Sequence, residues 1–278
     1  MKIGVLGSGI MGNGIAQVFA ISGYDVVLID LSEKELKSAQ DTMSKSLNKL
    51  SKKQKDIQVI DVLNRVEFTT NKNSLKDADI VIEAITENID VKKAVFKELD
   101  KLCNPKTILA SNTSSLSITE LAAVTQRSDR VCGLHFFNPV PLMKLVEVTG
   151  TELTSNVTLE KVEGLVANAN KESIRVIDTP LFVVNRLLVP MICEAILLVD
   201  EGTASPEDID KGMKLGAHHP IGPLWLADMI GLDTMLHIQE ALYNKKEDPK
   251  YKVPELLRRM VSSGELGRKS GKGFYEYI

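Results

Sequence analysis

Two periodicities alternate along the first half of the chain. Short apolar runs, which predict buried strands, are followed by stretches in which apolar residues recur at helical spacing. The runs are KIGVL (2–6), DVVLID (25–30), VEFTT (66–70), DIVIEAI (79–85), TILAS (107–111), RVCGLHF (130–136) and KLVEVTG (144–150). Strands separated by helices indicate βαβ units, so we predict a parallel sheet with helices on both faces.

Capping residues and apolar stripes locate the predicted helices. Ser32 and Glu35 match a capping box that opens a charged helix running to about Leu50, and Ser117 with Glu120 forms a second such pair. The helix after the 79–85 run carries a stripe at Val91, Val95, Leu99 and Leu102.

The pattern changes near Thr179–Pro180. No convincing strand follows Val176, and the long apolar segment 182–199, which contains Pro190, has helical character. Ser205 followed by Pro206 is typical of a helix start. We therefore predict an α/β fold: a Rossmann-type N-terminal domain (1–179) and a second, all-helical C-terminal domain (180–278).

Composition narrows the class of protein. The chain has 278 residues, 44% of them hydrophobic, and a net charge of −3, so it offers no electrostatic case for nucleic acid. Three widely spaced cysteines predict neither a disulfide framework nor a metal site. Polar interruptions in 182–199 argue against a membrane span, and the start runs directly into a strand. We expect a soluble cytoplasmic protein without a metal.

A glycine-rich turn follows the first predicted strand. Its GxGxxG motif consists of Gly7, Ser8, Gly9, Ile10, Met11 and Gly12. A helix opens within the motif, and Asp30 ends the next strand, which is the context of a dinucleotide site. A structural turn with a surface aspartate is the alternative. The Asp30 carboxylate would bind ribose hydroxyls and repel a 2′-phosphate, so NAD is favoured over NADP, although nearby Lys34 leaves that choice open.

His135 differs in context from the other three histidines. It ends an apolar strand, where open α/β sheets bind ligands, whereas His218, His219 and His237 fit surface or core roles. Glu147 lies in the following strand, and a reversal about Pro141 would bring the two side by side. Such a pair suits proton exchange with an alcohol, although two unconnected polar residues are the alternative.

The combination of motifs is similar to one known family. SNTSSLSI (111–118), GLHFFNPVPLMKLVEV (133–148), VVNRLLVP (183–190), EDIDKGMKLGAHHPIGPL (207–224) and GRKSGKGFYEY (267–277) resemble the L-3-hydroxyacyl-CoA dehydrogenase family, and within it the bacterial 3-hydroxybutyryl-CoA dehydrogenases. The resemblance implies an NAD-dependent oxidoreductase that interconverts a short (3S)-3-hydroxyacyl-CoA and its 3-oxoacyl-CoA. It also implies an acyl-CoA substrate.

The resemblance assigns roles to individual residues. It implies that His135 is the catalytic acid/base, that Glu147 is its carboxylate partner, and that Ser114 and Asn185 polarise the substrate. The cofactor contacts that it implies, beyond the glycine turn and Asp30, are Glu87, Lys92, Asn138 and Lys269.

Ser46 and Lys53 match residues that hold the coenzyme A portion. The two positions are seven apart, so they would share one face if the helix continues that far. The surrounding KLSKKQK run is otherwise a solvated basic face.

Two positions depart from the family pattern. Leu181 stands where glycine is usual, and Trp225 stands where an acidic residue is common. Two alternatives are open: a relative acting on a free hydroxy acid, like L-gulonate 3-dehydrogenase, and a non-catalytic NAD-binding protein like the crystallin relatives. We also expect a homodimer or a larger homo-oligomer, assembled through helical faces.

Overall fold

The structure is a computed structural model that describes residues 1–277. The chain forms two compact units, Met1–Thr179 and Pro180–Ile278. The first unit contains every strand of the main sheet among the described residues, and the second unit is helical.

An eight-stranded sheet forms the centre of the first unit. Its strands are β1 (Lys2–Leu6), β2 (Asp25–Ile29), β3 (Val66–Thr69), β4 (Ile80–Glu83), β5 (Ile108–Ser111), β6 (Val131–Phe136), β7 (Leu145–Gly150) and β8 (Glu172–Ile177). The order across the sheet is β3-β2-β1-β4-β5-β6-β7-β8. Only β7 runs antiparallel to the strand before it, β6. The predicted Rossmann-type fold with a helical second region is therefore confirmed.

Helices cover the sheet of the first unit. They are α1 (Ile10–Ile21), α2 (Glu33–Ser51), α3 (Val59–Asn64), α4 (Ile89–Leu102), α5 (Ile118–Ala122) and α6 (Asn156–Asn168). The main core is apolar and almost fully buried, with Phe19, Met43 and Phe136 among its largest side chains. Burial of this kind is the main stabilising contribution to a fold of this size.

The predicted caps occur as expected. The Ser32 hydroxyl accepts a hydrogen bond from the Glu35 amide at the start of α2, and Ser117 caps α5 through the Glu120 amide. Three elements of the first unit, α3, α6 and β8, are absent from the predicted set. Strand β8 lies at the sheet edge, and only Val176 among its residues is buried, so its sequence lacks a continuous apolar run.

The buried face of α4 differs from the predicted stripe. Val91 is exposed, whereas Lys92, Phe96 and Leu99 face inward. The helical pattern alone predicts that Lys92 faces solvent, but its ammonium group pairs with a buried carboxylate.

Helix α2 ends earlier than the coenzyme A prediction requires. It stops at Ser51, so Lys53 lies in the turn that follows, and Ser46 and Lys53 do not share a helical face. The apolar stripe at Leu36, Met43 and Leu47 is not continued by the polar residues 52–56. The helix ends at Ser51 because a further turn would bury no apolar side chain.

The second unit consists of five helices among the described residues. They are α7 (Val184–Asp200), α8 (Pro206–Gly216), α9 (Pro223–Ile230), α10 (Leu232–Lys246) and α11 (Glu255–Ser262). Pro190 lies inside α7, and Ser205 caps α8 with Pro206 in its first turn, as predicted. No helix within residues 1–277 is long and apolar enough to cross a bilayer.

The atypical Leu181 adopts a left-handed backbone. Its φ is +63°, and Phe182 follows with φ +54°. Glycine adopts this region without strain, whereas leucine does not. The Leu181 side chain is buried against Leu242 and Tyr251, and this packing offsets the backbone cost. The other atypical residue, Trp225, is partly exposed on α9, where its amide donates to the Asp210 carboxylate.

Candidate active site

The carboxyl ends of four neighbouring strands form one edge of the sheet. Leu6 on β1 pairs in register with Glu83 on β4, and Glu83 pairs with Ser111 on β5. Strand β6 runs parallel to β5 and extends further, so that His135 lies beyond the end of β5. The Phe136 amide donates to the Asn112 side chain at 3.0 Å, which joins the two strand ends. Open α/β sheets bind ligands at this edge.

The glycine turn follows β1 at the same edge. Gly7 has φ +101°, and a side chain there would meet the Ala84 carbonyl oxygen at 2.6 Å. A side chain on Gly12 would lie 1.8 Å from the Gly7 carbonyl oxygen, so α1 packs directly on the turn. A Cβ on Gly9 would meet no protein atom within 4 Å.

The start of α1 fits a pyrophosphate group. Gly9 is its N-cap residue, no side chain caps it, and its first turn contains no acidic residue. The first amide groups of a helix have no partner within the helix and favour anions. Open space at Gly9 and an uncapped helix start are what a bound dinucleotide requires, so the turn fits NAD.

Asp30 is held by the glycine turn. One of its oxygens accepts from the Ser8 amide at 2.8 Å and from the Ser8 hydroxyl at 2.7 Å, and the other accepts from the Leu31 amide. Partial burial raises the pKa of Asp30, but these hydrogen bonds outweigh it and hold the pKa below its usual value. Asp30 is therefore an ordered anion at the end of β2.

His135 and Glu147 form a buried pair. They are directly opposite in the antiparallel β6–β7 ladder, and His135 Nδ1 lies 2.7 Å from Glu147 Oε2. This is the register that a reversal about Pro141 predicts. Glu147 is 0% exposed. An ionised carboxylate can only accept, so a hydrogen bond from a neutral His135 to an ionised Glu147 requires the proton on Nδ1.

The polar segment after β5 surrounds a second carboxylate. Glu87 Oε1 accepts from the Thr113 hydroxyl at 2.5 Å, from the Ser114 amide at 3.0 Å, and from the amide and hydroxyl of Ser115. Partial burial raises the pKa of Glu87. The Lys92 ammonium and these hydrogen bonds outweigh that effect, so the pKa lies below its ordinary value of 4.5.

Lys92 is buried between two carboxylates. Its ammonium lies 2.6 Å from Glu83 Oε1 and 3.4 Å from Glu87 Oε2, and its side chain is 1% exposed. The predicted cofactor contacts Glu87 and Lys92 therefore belong to one charged cluster. Glu83, which the sequence analysis does not single out, is its third member. The available signal is a carboxylate inside an otherwise apolar run.

A buried lysine also holds the loop after β6. The Lys171 ammonium donates to the carbonyl groups of Val140 and Met143 at 2.7 and 2.6 Å. Burial, together with nearby Lys144, lowers the pKa of Lys171 to about 8. The loop carries Asn138, which is exposed. Lys171 is a further buried ionic group that the sequence pattern did not identify.

The remaining predicted residues lie elsewhere. Ser46 is half-buried on α2, and Lys53 is exposed. Two others belong to the second unit: Asn185 lies in the first turn of α7, and the Lys269 ammonium pairs with Asp233 at 2.5 Å. Within residues 1–277, no group of three histidine, cysteine or acidic side chains is arranged to hold a metal ion.

Two family models together match almost the whole chain. The 3-hydroxyacyl-CoA dehydrogenase NAD binding domain matches residues 2–179, and the C-terminal domain of the same family matches residues 182–277. The chain belongs to the 3-hydroxyacyl-CoA dehydrogenase family. This membership confirms the predicted family, the enzyme class and NAD as the cofactor. It leaves the roles of individual side chains as predictions.

Individual family members are similar over their full length. The 3-hydroxybutyryl-CoA dehydrogenase of Clostridioides difficile is 50% identical, and the match covers 100% of this chain and 99% of the relative. The mitochondrial hydroxyacyl-coenzyme A dehydrogenase of Sus scrofa is 45% identical over 98% of this chain and 90% of its own.

A solved structure of the family shares the fold. The crystal structure of (S)-3-hydroxybutyryl-CoA dehydrogenase from Ralstonia eutropha has a TM-score of 0.96 and 51% sequence identity, and covers 100% of this chain and 99% of its own.

Gly9→Ala tests the cofactor turn. The new methyl group meets no protein atom, so we expect a thermal midpoint close to that of the wild type. It enters the space that the pyrophosphate needs, so NADH binding should weaken by about tenfold or more, which corresponds to roughly 1.4 kcal/mol. Fluorescence titration with NADH measures this. Unchanged affinity in a folded variant would contradict the assignment.

Glu87→Gln tests the lowered pKa of the Glu87 carboxyl group. Because the folded pKa lies below the ordinary value of 4.5, the ionised group stabilises the fold above that pH and loses this effect as the pH falls through the folded pKa. The urea midpoint of the variant should therefore lie below that of the wild type at pH 7, and the gap should shrink toward pH 4.

The matched control is Glu98→Gln on α4, the helix that follows Glu87. Glu98 forms an exposed ion pair with Lys72, which contributes little to stability. Its effect should be small at both pH values. A gap for Glu87→Gln that widens at low pH would refute the depressed pKa.

Proposed function

We propose that the protein uses NAD(H) to interconvert a short (3S)-3-hydroxyacyl-CoA and its 3-oxoacyl-CoA, with 3-hydroxybutyryl-CoA and acetoacetyl-CoA as the preferred pair. Relatives named for that substrate, similar over their full length, support the choice. The observation that carries the chemistry is the 2.7 Å contact between His135 and Glu147 at the carboxyl edge of the sheet.

His135 is the proton acceptor in the oxidation direction. Glu147 holds the ring with Nδ1 protonated, so Nε2 takes the proton of the substrate hydroxyl. The carboxylate then stabilises the imidazolium that results, as a buried carboxylate does in a catalytic triad. In the reduction direction the imidazolium returns the proton to the carbonyl oxygen. Bound NAD(H) supplies the hydride chemistry at the substrate carbon.

Ser114 is the group that binds the substrate oxygen. Its amide is already engaged with Glu87 at 3.0 Å, whereas its hydroxyl is 3.4 Å from the same oxygen, a weak contact that a stronger acceptor can replace. A hydroxyl on a fixed backbone can then donate to the developing negative charge. Asn185, in the first turn of α7, is the second residue to which we give a role in polarising the substrate.

The cofactor and coenzyme A contacts complete the proposal. The glycine turn and Asp30 hold the adenosine half of NAD, and Glu87, Lys92, Asn138 and Lys269 serve the rest of the cofactor. Ser46 and Lys53 bind the coenzyme A portion, where the exposed Lys53 ammonium pairs with a phosphate group. The working form is a homodimer or a larger homo-oligomer.

The direct test is oxidation of NADH with acetoacetyl-CoA. We expect turnover by the wild type and a decrease in kcat of about 10²- to 10⁴-fold for His135→Gln, the usual contribution of a positioned acid/base. His237→Gln, on α10, is the matched control and should leave kcat unchanged. A His135→Gln variant with wild-type kcat would refute the assignment.

The same assay separates the two alternatives. An enzyme for free hydroxy acids would reduce acetoacetate as well as acetoacetyl-CoA, and Lys53→Ala would leave its KM unaltered. A non-catalytic relative would bind NADH without consuming it with any acyl-CoA. The proposal requires turnover with acetoacetyl-CoA and a raised KM in Lys53→Ala.

A further inference from the structure

Glu83 is a fully buried ionic group near the candidate site that has no role in the proposed catalysis. It is the last residue of β4, its side chain is 0% exposed, and three donors surround its carboxylate. Oε1 accepts from the Lys92 ammonium at 2.6 Å and from the Ile85 amide at 2.7 Å. Oε2 accepts from the Ser111 hydroxyl at 2.7 Å.

These contacts close a ring around the segment that carries Ser114. On one side, the Ser111 hydroxyl donates to Glu83 and accepts from the Thr113 amide at 3.2 Å. On the other side, Lys92 bridges Glu83 to Glu87, whose Oε1 binds the same segment through Thr113 and Ser114. Both ends of the 111–115 segment are thus connected to the buried Lys92 ammonium, one end through Glu83 and the other through Glu87.

We propose that Glu83 is a positioning residue for the Ser114 segment, acting through Lys92 and Ser111. It does not touch the reacting atoms. Its negative charge holds the Lys92 ammonium at a fixed distance from Glu87, and its second oxygen fixes the direction of the Ser111 hydroxyl. This inference rests on the proposed function, because Ser114 is the substrate contact that the ring holds in place.

The charge balance explains why a carboxylate is needed. The buried Lys92 ammonium lies between two carboxylates, of which Glu83 is fully buried and Glu87 is partly exposed. A buried ammonium needs such a charged partner. Without Glu83, the full attraction of Lys92 falls on Glu87, whose oxygens also serve the amide groups of the segment. Lys92 and the segment then compete for one carboxylate, and the position of Ser114 is no longer fixed.

Glu83→Gln is the most informative substitution, because it keeps the shape of the side chain. If its amide oxygen continues to accept from Lys92 and Ile85, its NH₂ group faces the Ser111 hydroxyl with a donor instead of an acceptor. That hydroxyl already accepts from Thr113, so its own proton loses its partner. The variant therefore removes the charge and reverses one hydrogen bond.

Asp100→Asn is the matched control. Asp100 lies near the other end of α4 and forms an almost buried ion pair with Arg127 at 2.7 Å. Its loss should destabilise the same unit, and the hydrogen bonds of this pair join it to Gln126 and to the 103–107 segment. Any effect that comes only from weakened folding should therefore appear in both variants.

Two measurements test the proposal. Per folded enzyme, Glu83→Gln should lower kcat with acetoacetyl-CoA by about 10- to 100-fold, the usual cost of a misplaced reacting group, whereas Asp100→Asn should keep the wild-type kcat. Hydrogen–deuterium exchange of the amides in 112–116 should accelerate in Glu83→Gln alone. Equal kcat and equal exchange in the two variants would overturn the proposal.

A milder variant, Ser111→Ala, keeps the proposal testable if Glu83→Gln does not fold. Ser111→Ala removes only the hydroxyl between Glu83 and the Thr113 amide, so we expect a smaller decrease in kcat and faster exchange in the same segment. Wild-type behaviour of Ser111→Ala in both measurements would also overturn the proposal. If the wild type itself does not reduce acetoacetyl-CoA, the proposed function fails, and the exchange measurement still decides whether Glu83 orders the segment.

Discussion

A carboxylate buried inside a sheet needs a hydrogen-bond donor, and this requirement determines how the residues of the candidate site are arranged. Glu147 has no exposed surface, and the donor that meets it is His135 Nδ1. The pair exists only because β6 and β7 are antiparallel neighbours in one register. A shift of one residue would send both side chains to the opposite face or to different partners. The β6–β7 hairpin therefore determines that the imidazole faces this carboxylate.

The same requirement for partners applies to the other polar groups along the carboxyl edge of the sheet. Glu83 ends β4, Ser111 ends β5 and His135 nears the end of β6, so polar groups gather where the strands stop. Three of the carboxylates in this region have ionisable partners: Glu83 and Glu87 share Lys92, and Glu147 meets His135. Paired charges inside a protein hold fixed positions, because a displacement would leave a buried charge without its partner. This rigidity suits the proposed alignment of a proton donor with a substrate oxygen.

Local sequence rules predicted the features that depend on neighbours along the chain. The glycine turn, the caps at Ser32 and Ser117, and the opposition of His135 and Glu147 across a short hairpin all follow from nearby residues. The family motifs added the enzyme class and the cofactor.

Features that depend on partners distant in the sequence could not be predicted in this way. The spacing of α4 assigns Lys92 to solvent, and only the three-dimensional approach of Glu83 turns it inward. In the same way, Lys171 holds a loop that lies about thirty residues earlier. Strand β8 is stabilised by pairing with β7 rather than by its own apolar content. The end of α2 at Ser51 depends on where buried surface runs out.

The central claim is that Glu147 holds His135 as the Nδ1-protonated tautomer, with Nε2 as the base. Nitrogen-15 NMR of the labelled histidine side chains reports this directly, and a spectrum of His135→Gln identifies the signals among the four histidines. At a pH where the ring is neutral, the account predicts a protonated Nδ1 and an unprotonated Nε2 for His135. An Nε2-protonated ring, or one that exchanges freely between the two tautomers, would contradict it.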